Sequence, residues 1–196
     1  LKISAKANYY RTDSDNMPSS AYASDSIMYQ LIWSSNVNSM NNYYQEFING
    51  RFNAENYNDY ANLVMRDQYY NPYRTLYLYT NTMDKDRFLG NVGVSANIWK
   101  EKITLDVKAG MDMSNEFRTQ RRPKYSIQSP NGFYREQNIN IYEINTDFML
   151  KYSDAYLNDR FTLTAGFGGN SMRYSRRSTK VTLSQIDIDN VFNLDN

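Results

Sequence analysis

Residues 87–113 read "RFLGNVGVSANIWKEKITLDVKAGMDM", and the parity of this stretch decides the fold class. Phe88, Val92, Val94, Ala96 and Ile98 are apolar at even positions. After Lys100 and Glu101 the apolar set moves to odd positions: Ile103, Leu105, Val107, Ala109, Met111 and Met113. The opposite parity carries Arg87, Asn91, Ser95 and Asn97, then Thr104, Asp106, Lys108 and Asp112. Alternation with period two is the signature of a strand with one apolar and one polar face. The pair therefore reads as a hairpin with strands 87–99 and 102–114.

The same alternation recurs elsewhere. Residues 1–11 place Leu1, Ile3, Ala5, Ala7 and Tyr9 against Lys2, Ser4, Lys6 and Asn8. In residues 138–152, Tyr142, Ile144, Thr146, Phe148, Leu150 and Tyr152 oppose Glu143, Asn145, Asp147 and Lys151, and a strand over 160–174 returns from it. Between the first two strands, residues 12–86 lose the pattern. Ile27, Leu31, Ser34, Val37 and Met40 have helical spacing behind Asp25 as an N-cap. Tyr57 to Met65 suggest a short helix followed by an extended end. A second loop, 115–137, carries Pro123, Pro130 and the turn pair Asn131–Gly132. The expected class is all-β: about five antiparallel strands, with one long, partly helical excursion.

Composition narrows the chemistry. The 196 residues include 22 basic and 21 acidic side chains, a net charge of +1, which gives no support for a nucleic-acid partner. Cysteine and histidine are both absent, so disulfides, thiolate metal sites, histidine-ligated metals and histidine acid–base catalysis are excluded. Mean hydropathy is −0.76, and no run approaches the ~18 apolar residues of a membrane helix. The chain opens in mid-strand and is expected to be an internal piece of a longer protein. Nineteen tyrosines among many Asn and Ser suit a wet recognition surface or the aromatic girdles of an outer-membrane barrel.

Loop lengths separate a barrel from a soluble β-sandwich. Connections run long, short, long, short, the order of a transmembrane barrel with extracellular loops and periplasmic turns. Strands of about ten residues at ~3.3 Å each, tilted ~40°, match an apolar band roughly 25 Å tall. On that reading Trp99, Tyr142 and Tyr152 are membrane-interface aromatics, and Asp106, Lys108, Asp112, Glu143, Asn145, Asp147 and Lys151 face the lumen. A sandwich alternates too, with shorter strands as a rule.

The words of the sequence resemble a family. "NPYRTLYLYTNTMDKDRFLGNVGVSANIWKEKITLDVKAGMD" (71–112) is similar to the SusC/RagA family of TonB-dependent outer-membrane transporters, typical of Bacteroidetes. The matching pieces are Asn71-Pro72-Tyr73, Arg87-Phe88-Leu89-Gly90-Asn91, Gly110-Met111-Asp112 and Gly168-Gly169-Asn170. Arg74 stands where an aromatic residue is common, and the tail after Lys180 lacks the usual Pro-Gly. The resemblance implies a barrel of about 22 strands around a plug, of which this chain supplies about five, the plug lying outside it. It also implies import of glycan oligosaccharides or peptides under a SusD-like surface lipoprotein, energised by TonB–ExbB–ExbD, in outer-membrane lipid. The residues themselves carry no enzyme signature: carboxylates are scattered and no Gly-rich phosphate loop precedes a helix, so neither enzyme activity nor a cofactor is expected.

Each candidate has a plainer alternative. The lumen-facing charges line a substrate path, or solvate a polar wall and pair across strands at ~0.2–1 kcal/mol. Tyr22, Tyr29, Trp33, Tyr43, Tyr44, Tyr69, Tyr70, Tyr73, Tyr77 and Tyr79 contact lid or sugar, or pack the long loop on itself. "DSDN" (13–16) and "DIDN" (187–190) suggest calcium, but lack the Gly and distal Glu of a complete loop and read as turns. Arg118, Arg121, Arg122 and Lys124 meet anionic lipopolysaccharide or form a solvated loop. Two other functions stay open: a TonB-dependent receptor for another cargo such as a siderophore, and a soluble glycan-binding sandwich.

Overall fold

The structure, a computed structural model, describes residues 1–17, 19–20, 26–33, 39–49, 71–100, 102–124, 126, 129–158, 160–188 and 190–196. Five strands, β1 (Lys2–Ser14), β2 (Asn81–Trp99), β3 (Ile103–Arg122), β4 (Phe133–Tyr156) and β5 (Phe161–Leu183), form one antiparallel sheet in sequence order. Helices α1 (Ile27–Trp33), α2 (Met40–Ile48) and α3 (Pro72–Leu78) lie in the β1–β2 connection. The sheet is open, with β1 and β5 as its edges. In a meander of this order, the short β2–β3 and β4–β5 turns fall at one end of the strands and the long connections at the other.

The strands outrun the alternating stretches that announce them. β3 continues past 114 to Arg122, β4 begins at Phe133 instead of 138, β2 at Asn81 instead of 87, and β5 ends at Leu183 instead of 174. The expected loop 115–137 therefore shrinks to 123–132. In these extensions charged and amide side chains fall on both faces among a few apolar ones such as Phe117, Tyr134 and Val181, so hydropathy alternation disappears while backbone pairing, which needs no apolar face, goes on. Side chains tie them instead: Arg135 donates to Gln120 (3.0 Å) and Thr182 (3.1 Å), and Thr82 meets Thr119 at 2.6 Å.

Contacts divide the chain into two compact units. The first holds residues 1–12, 85–116 and 139–178; the second holds 13–84, 117–138 and 179–196. In the first unit the sheet has two unlike faces. Ala5, Ala7, Phe88, Val92, Ala109, Met111 and Ile144, from four strands, line one shallow apolar groove of about 530 Å³. Phe148 and Phe167 touch on the same face, ring centroids 5.8 Å apart. This face is bare: Ile3 is 68% exposed, Val92 50% and Phe167 70%. Of the buried apolar side chains among the described residues, only Ile139 belongs to this unit.

The second unit is held by polar side chains. The extended end expected after Tyr57–Met65 is instead helix α3. Asn71 caps it, its Oδ1 accepting from the Tyr73 amide at 2.9 Å, and Pro72 fills the first turn where no donor is needed. Asn71 Nδ2 also donates to the Tyr43 carbonyl of α2 at 2.8 Å, and Gln30 of α1 donates to Thr75 of α3 at 2.8 Å. Ser39 caps α2. The expected helix behind Asp25 is present as α1, while Asp25, residues 34–38 and the Tyr57–Met65 segment lie outside the described residues. The tail is pinned by Ile186, fully buried against Gly132, where a Cβ would stand 2.4 Å from Ile186 Cγ1 and the φ of +79° would strain any other residue.

Candidate functional site: the polar face of the sheet

The polar face is built by the same alternation that makes the other face apolar. Arg87 and Asp112 share it in a two-point pair, Nε–Oδ1 3.0 Å and Nη2–Oδ2 2.6 Å. Lys85 reaches the buried Glu116 at 3.3 Å, and Asn145 donates to Glu143 at 2.8 Å. Asn170 of β5 donates to Asp147 of β4 at 2.5 Å. Two hollows flank the Asp106–Lys108 row. One, about 520 Å³, is lined by Asp106, Lys108, Asp147, Phe148, Met149, Gly169 and Asn170. The other, about 340 Å³, is lined by Lys2, Ser4, Gly93, Val94, Ser95, Asp106 and Lys108. Asp106, Lys108, Asp112, Glu143, Asn145, Asp147 and Lys151 thus have one facing, and the hollows bring the first two and Asp147 together; Lys151 lines neither.

Four contributors were not singled out from sequence. Met149 breaks β4's polar row with a thioether; Ser4, Gly93 and Ser95 open the second hollow. At Gly93 a Cβ would stand 2.9 Å from the Ser4 hydroxyl, so a larger residue there would turn that hydroxyl away. Asn170 was visible only as the end of Gly168-Gly169-Asn170. The face carries both charge signs with amide and hydroxyl groups between them. Such a wall can hydrogen-bond a neutral, polyhydroxylated or peptide-like solute along its length without committing to one charge.

The aromatic candidates divide. Tyr142 and Tyr152 lie on the apolar face with Phe148; the Tyr152 hydroxyl donates to the Asp154 carboxylate at 3.1 Å and meets the Tyr156 hydroxyl. Trp99, the last residue of β2, has the parity of Asn97 and Ser95, not of Ile98; the strand ends there, and Lys100 turns left-handed at φ 42°. In the second unit Tyr44, Tyr73, Phe47 and Tyr77 form a ring series, with Tyr44–Tyr73 at 5.3 Å and Phe47–Tyr77 at 5.5 Å. Tyr44 and Tyr77 are exposed, Tyr73 and Tyr29 half-buried, and Tyr43 and Tyr79 buried. Trp33 closes α1, and its side chain, like Tyr22, Tyr69 and Tyr70, lies outside the described residues.

The basic run is not a free loop. Arg121 and Arg122 end β3; Arg122 donates to Asn81 and stacks over Tyr79 at 5.0 Å, and Arg121 covers Phe192 at 5.9 Å. Lys124 donates to the Asp187 carbonyl. Asn190 turns at φ 62°, as Asn in a tight turn does. Among the described residues no group of three His, Cys, Asp or Glu is placed to hold a metal ion.

Two titrating groups at the strand ends are displaced. Burial, with the Glu136 carboxylate that its hydroxyl meets at 2.7 Å, pushes the Tyr134 phenol up to about 12. The Lys102 ammonium, 2.6 Å from Asp154, holds that carboxyl below its ordinary range. Compared with protein-family models and with curated proteins, the chain matches none.

Proposed function

We propose that this chain is a wall segment of a SusC/RagA-like TonB-dependent importer in the outer membrane. It carries glycan oligosaccharides or peptides beneath a SusD-like lipoprotein and is driven by TonB–ExbB–ExbD. One observation carries the reading: β2 to β5 are 19 to 24 residues long, and their stretches in the first unit set a bare apolar face against a mixed-sign polar face. About ten residues suffice to cross the hydrocarbon, and an apolar sheet face this extensive is stable only against lipid or a second layer. The resemblance of residues 71–112 supplies the family, and the polar hollows suit polyhydroxylated or peptide cargo. Tyr152, near a short turn, and Tyr142 supply the interfacial rings, Trp99 having the parity of the polar face; the seven charged and amide residues line the lumen.

The test uses the longer protein that contains this chain, which brings no native cysteine of its own to the labelling. Single cysteines at Val92, Val107 and Leu150, against Asn91, Lys108 and Lys151, are spin-labelled in proteoliposomes. The first set is expected to be quenched by oxygen from the lipid, the second by an aqueous nickel chelate. Equal aqueous access to both sets sinks the barrel and favours a soluble sheet. Co-purification of a SusD-like lipoprotein at near-equal stoichiometry separates this importer from a receptor for siderophores or other cargo.

A further inference from the structure

The apolar face of the first unit is interrupted at one place. Asn170 and Asp147 share the polar face, as do Ser153 and Thr164; six residues along β4 match six along β5 between these pairs. Phe148 meets Phe167 on the other face, and a Cβ at Gly169 would strike the Phe148 ring. The alternation is therefore fixed, and in that register Ser171, Arg173, Ser175 and Arg177 follow Phe167 and Gly169 on the apolar face. Arg173 stands opposite Ile144 and Arg177 opposite Asn140, with Tyr142 between them.

Among the described residues, no carboxylate stands directly opposite these two charges on that face. The β4 residues of the same facing, from Asn140 to Tyr152, are uncharged, as are those of β3 from Ile103 to Asn115. Two carboxylates of that facing lie on β4. Asp154 is already paired with Lys102 and lies ten residues, roughly 33 Å, along the strand from Ile144. Glu136 lies four residues, roughly 13 Å, beyond Asn140 and already accepts from the Tyr134 hydroxyl. Both arginines are exposed, and among the described residues neither forms an ion pair or a side-chain hydrogen bond. A guanidinium on a lipid-facing surface is costly in hydrocarbon and settles at headgroup depth, where its planar fork fits phosphate oxygens in two-point contacts. The two alternating serines add hydroxyl donors.

We infer that Ser171, Arg173, Ser175 and Arg177 form an outward-facing strip that binds the phosphate groups of an anionic lipid headgroup. The inference rests on the membrane-barrel reading. It places the boundary of the hydrocarbon on β5 between Gly169 and Arg173, beside Tyr142.

The test is made on the full-length protein purified from membranes in mild detergent, with co-purified lipid phosphorus quantified and the protein then returned to phosphatidylglycerol or phosphatidylcholine nanodiscs. R173Q/R177Q is expected to retain several-fold less phosphorylated lipid and to lose the extra thermal stability that phosphatidylglycerol gives. R176Q, one residue away on the polar face, should behave as the parent. R173K/R177K, which keeps the charge but not the fork, should fall between and also guards against misfolding of the double glutamine variant. Equal lipid retention in R173Q/R177Q and parent overturns the strip, as does an equal loss in R176Q. A shift reproduced by millimolar inorganic phosphate overturns the lipid as its ligand. A parent protein that needs no detergent removes the barrel and the strip together, whereas a detergent-dependent protein with unchanged lipid removes the strip alone.

Discussion

Asn71 performs two jobs with one side chain, which makes it the sharpest test of how the long connection is ordered. Its Oδ1 caps α3 through the Tyr73 amide, and its Nδ2 satisfies the Tyr43 carbonyl of α2; the residue is fully buried. Truncation to alanine removes the cap, about 0.5–2 kcal/mol, and leaves a buried carbonyl unpaired, about 1–3 kcal/mol. Allowing for non-additivity, N71A should lower the local opening free energy of α2 and α3 by about 2–4 kcal/mol. That corresponds to amide exchange in residues 40–48 and 72–78 that is roughly 30- to 1,000-fold faster. N71D keeps the cap acceptor but sets a carboxylate oxygen against the Tyr43 carbonyl, so it should be no better than alanine. The assay is hydrogen exchange by mass spectrometry on the full-length protein, with peptides from β3 and β4 as internal controls. If N71A leaves exchange in both helices unchanged while the sheet is intact, the side chain is not what couples them.

Gly132→Ala should release the tail, because a Cβ there stands 2.4 Å from Ile186 Cγ1 at a φ of +79°; protease cleavage after residue 180 should accelerate, whereas I186A should reproduce the release without backbone strain. The Arg87–Asp112 pair is partly exposed, so D112N should cost no more than about 1 kcal/mol, and a double-mutant cycle with R87Q reads the coupling directly. A coupling near zero would mean the two-point geometry holds nothing in solution. Asp154 has a depressed pKa, so its pairing with Lys102 stabilises the fold above the ordinary carboxyl value of ~3.9 and is lost as pH falls through the lower folded value. Exchange at the Ser153 amide, which donates to the Lys102 carbonyl at 2.8 Å, should therefore rise in acid beyond its intrinsic rate, and K102Q should show that rise already at neutral pH. Tyr134 has a raised pKa: the protonated form is favoured by the fold, a contribution complete below ~10 and lost as pH climbs through about 12. In the ultraviolet difference between parent and Y134F, one phenol should ionise late; ionisation at 10 would refute its burial.

The sequence by itself determined which residues share a face. Period-two alternation is local: each side chain's facing follows from its neighbour's, so Asp106, Lys108, Asp112 and Glu143 to Lys151 could be set apart from Val107, Met111 and Ile144 without any fold. It also marked the turns, because Asn131–Gly132 and the polar pair Lys100–Glu101 act over a few residues. Where hydropathy stopped alternating, the ends of β3, β4 and β5 were lost to view, since their pairing is made by backbone and by Arg135, Gln120 and Thr182 rather than by apolar burial. Only tertiary structure decided register, and register is a relation between strands that no single strand encodes. It placed Asn170 on Asp147, put Met149 into a polar hollow, and set Arg173 opposite Ile144. The helix at Pro72 reads in sequence as an extended end although Asn71–Pro72 is a cap signal, and Asn71's second partner, the Tyr43 carbonyl 28 residues earlier, was out of reach of sequence, because a capping side chain's other hydrogen bond is chosen by whatever packs beside it.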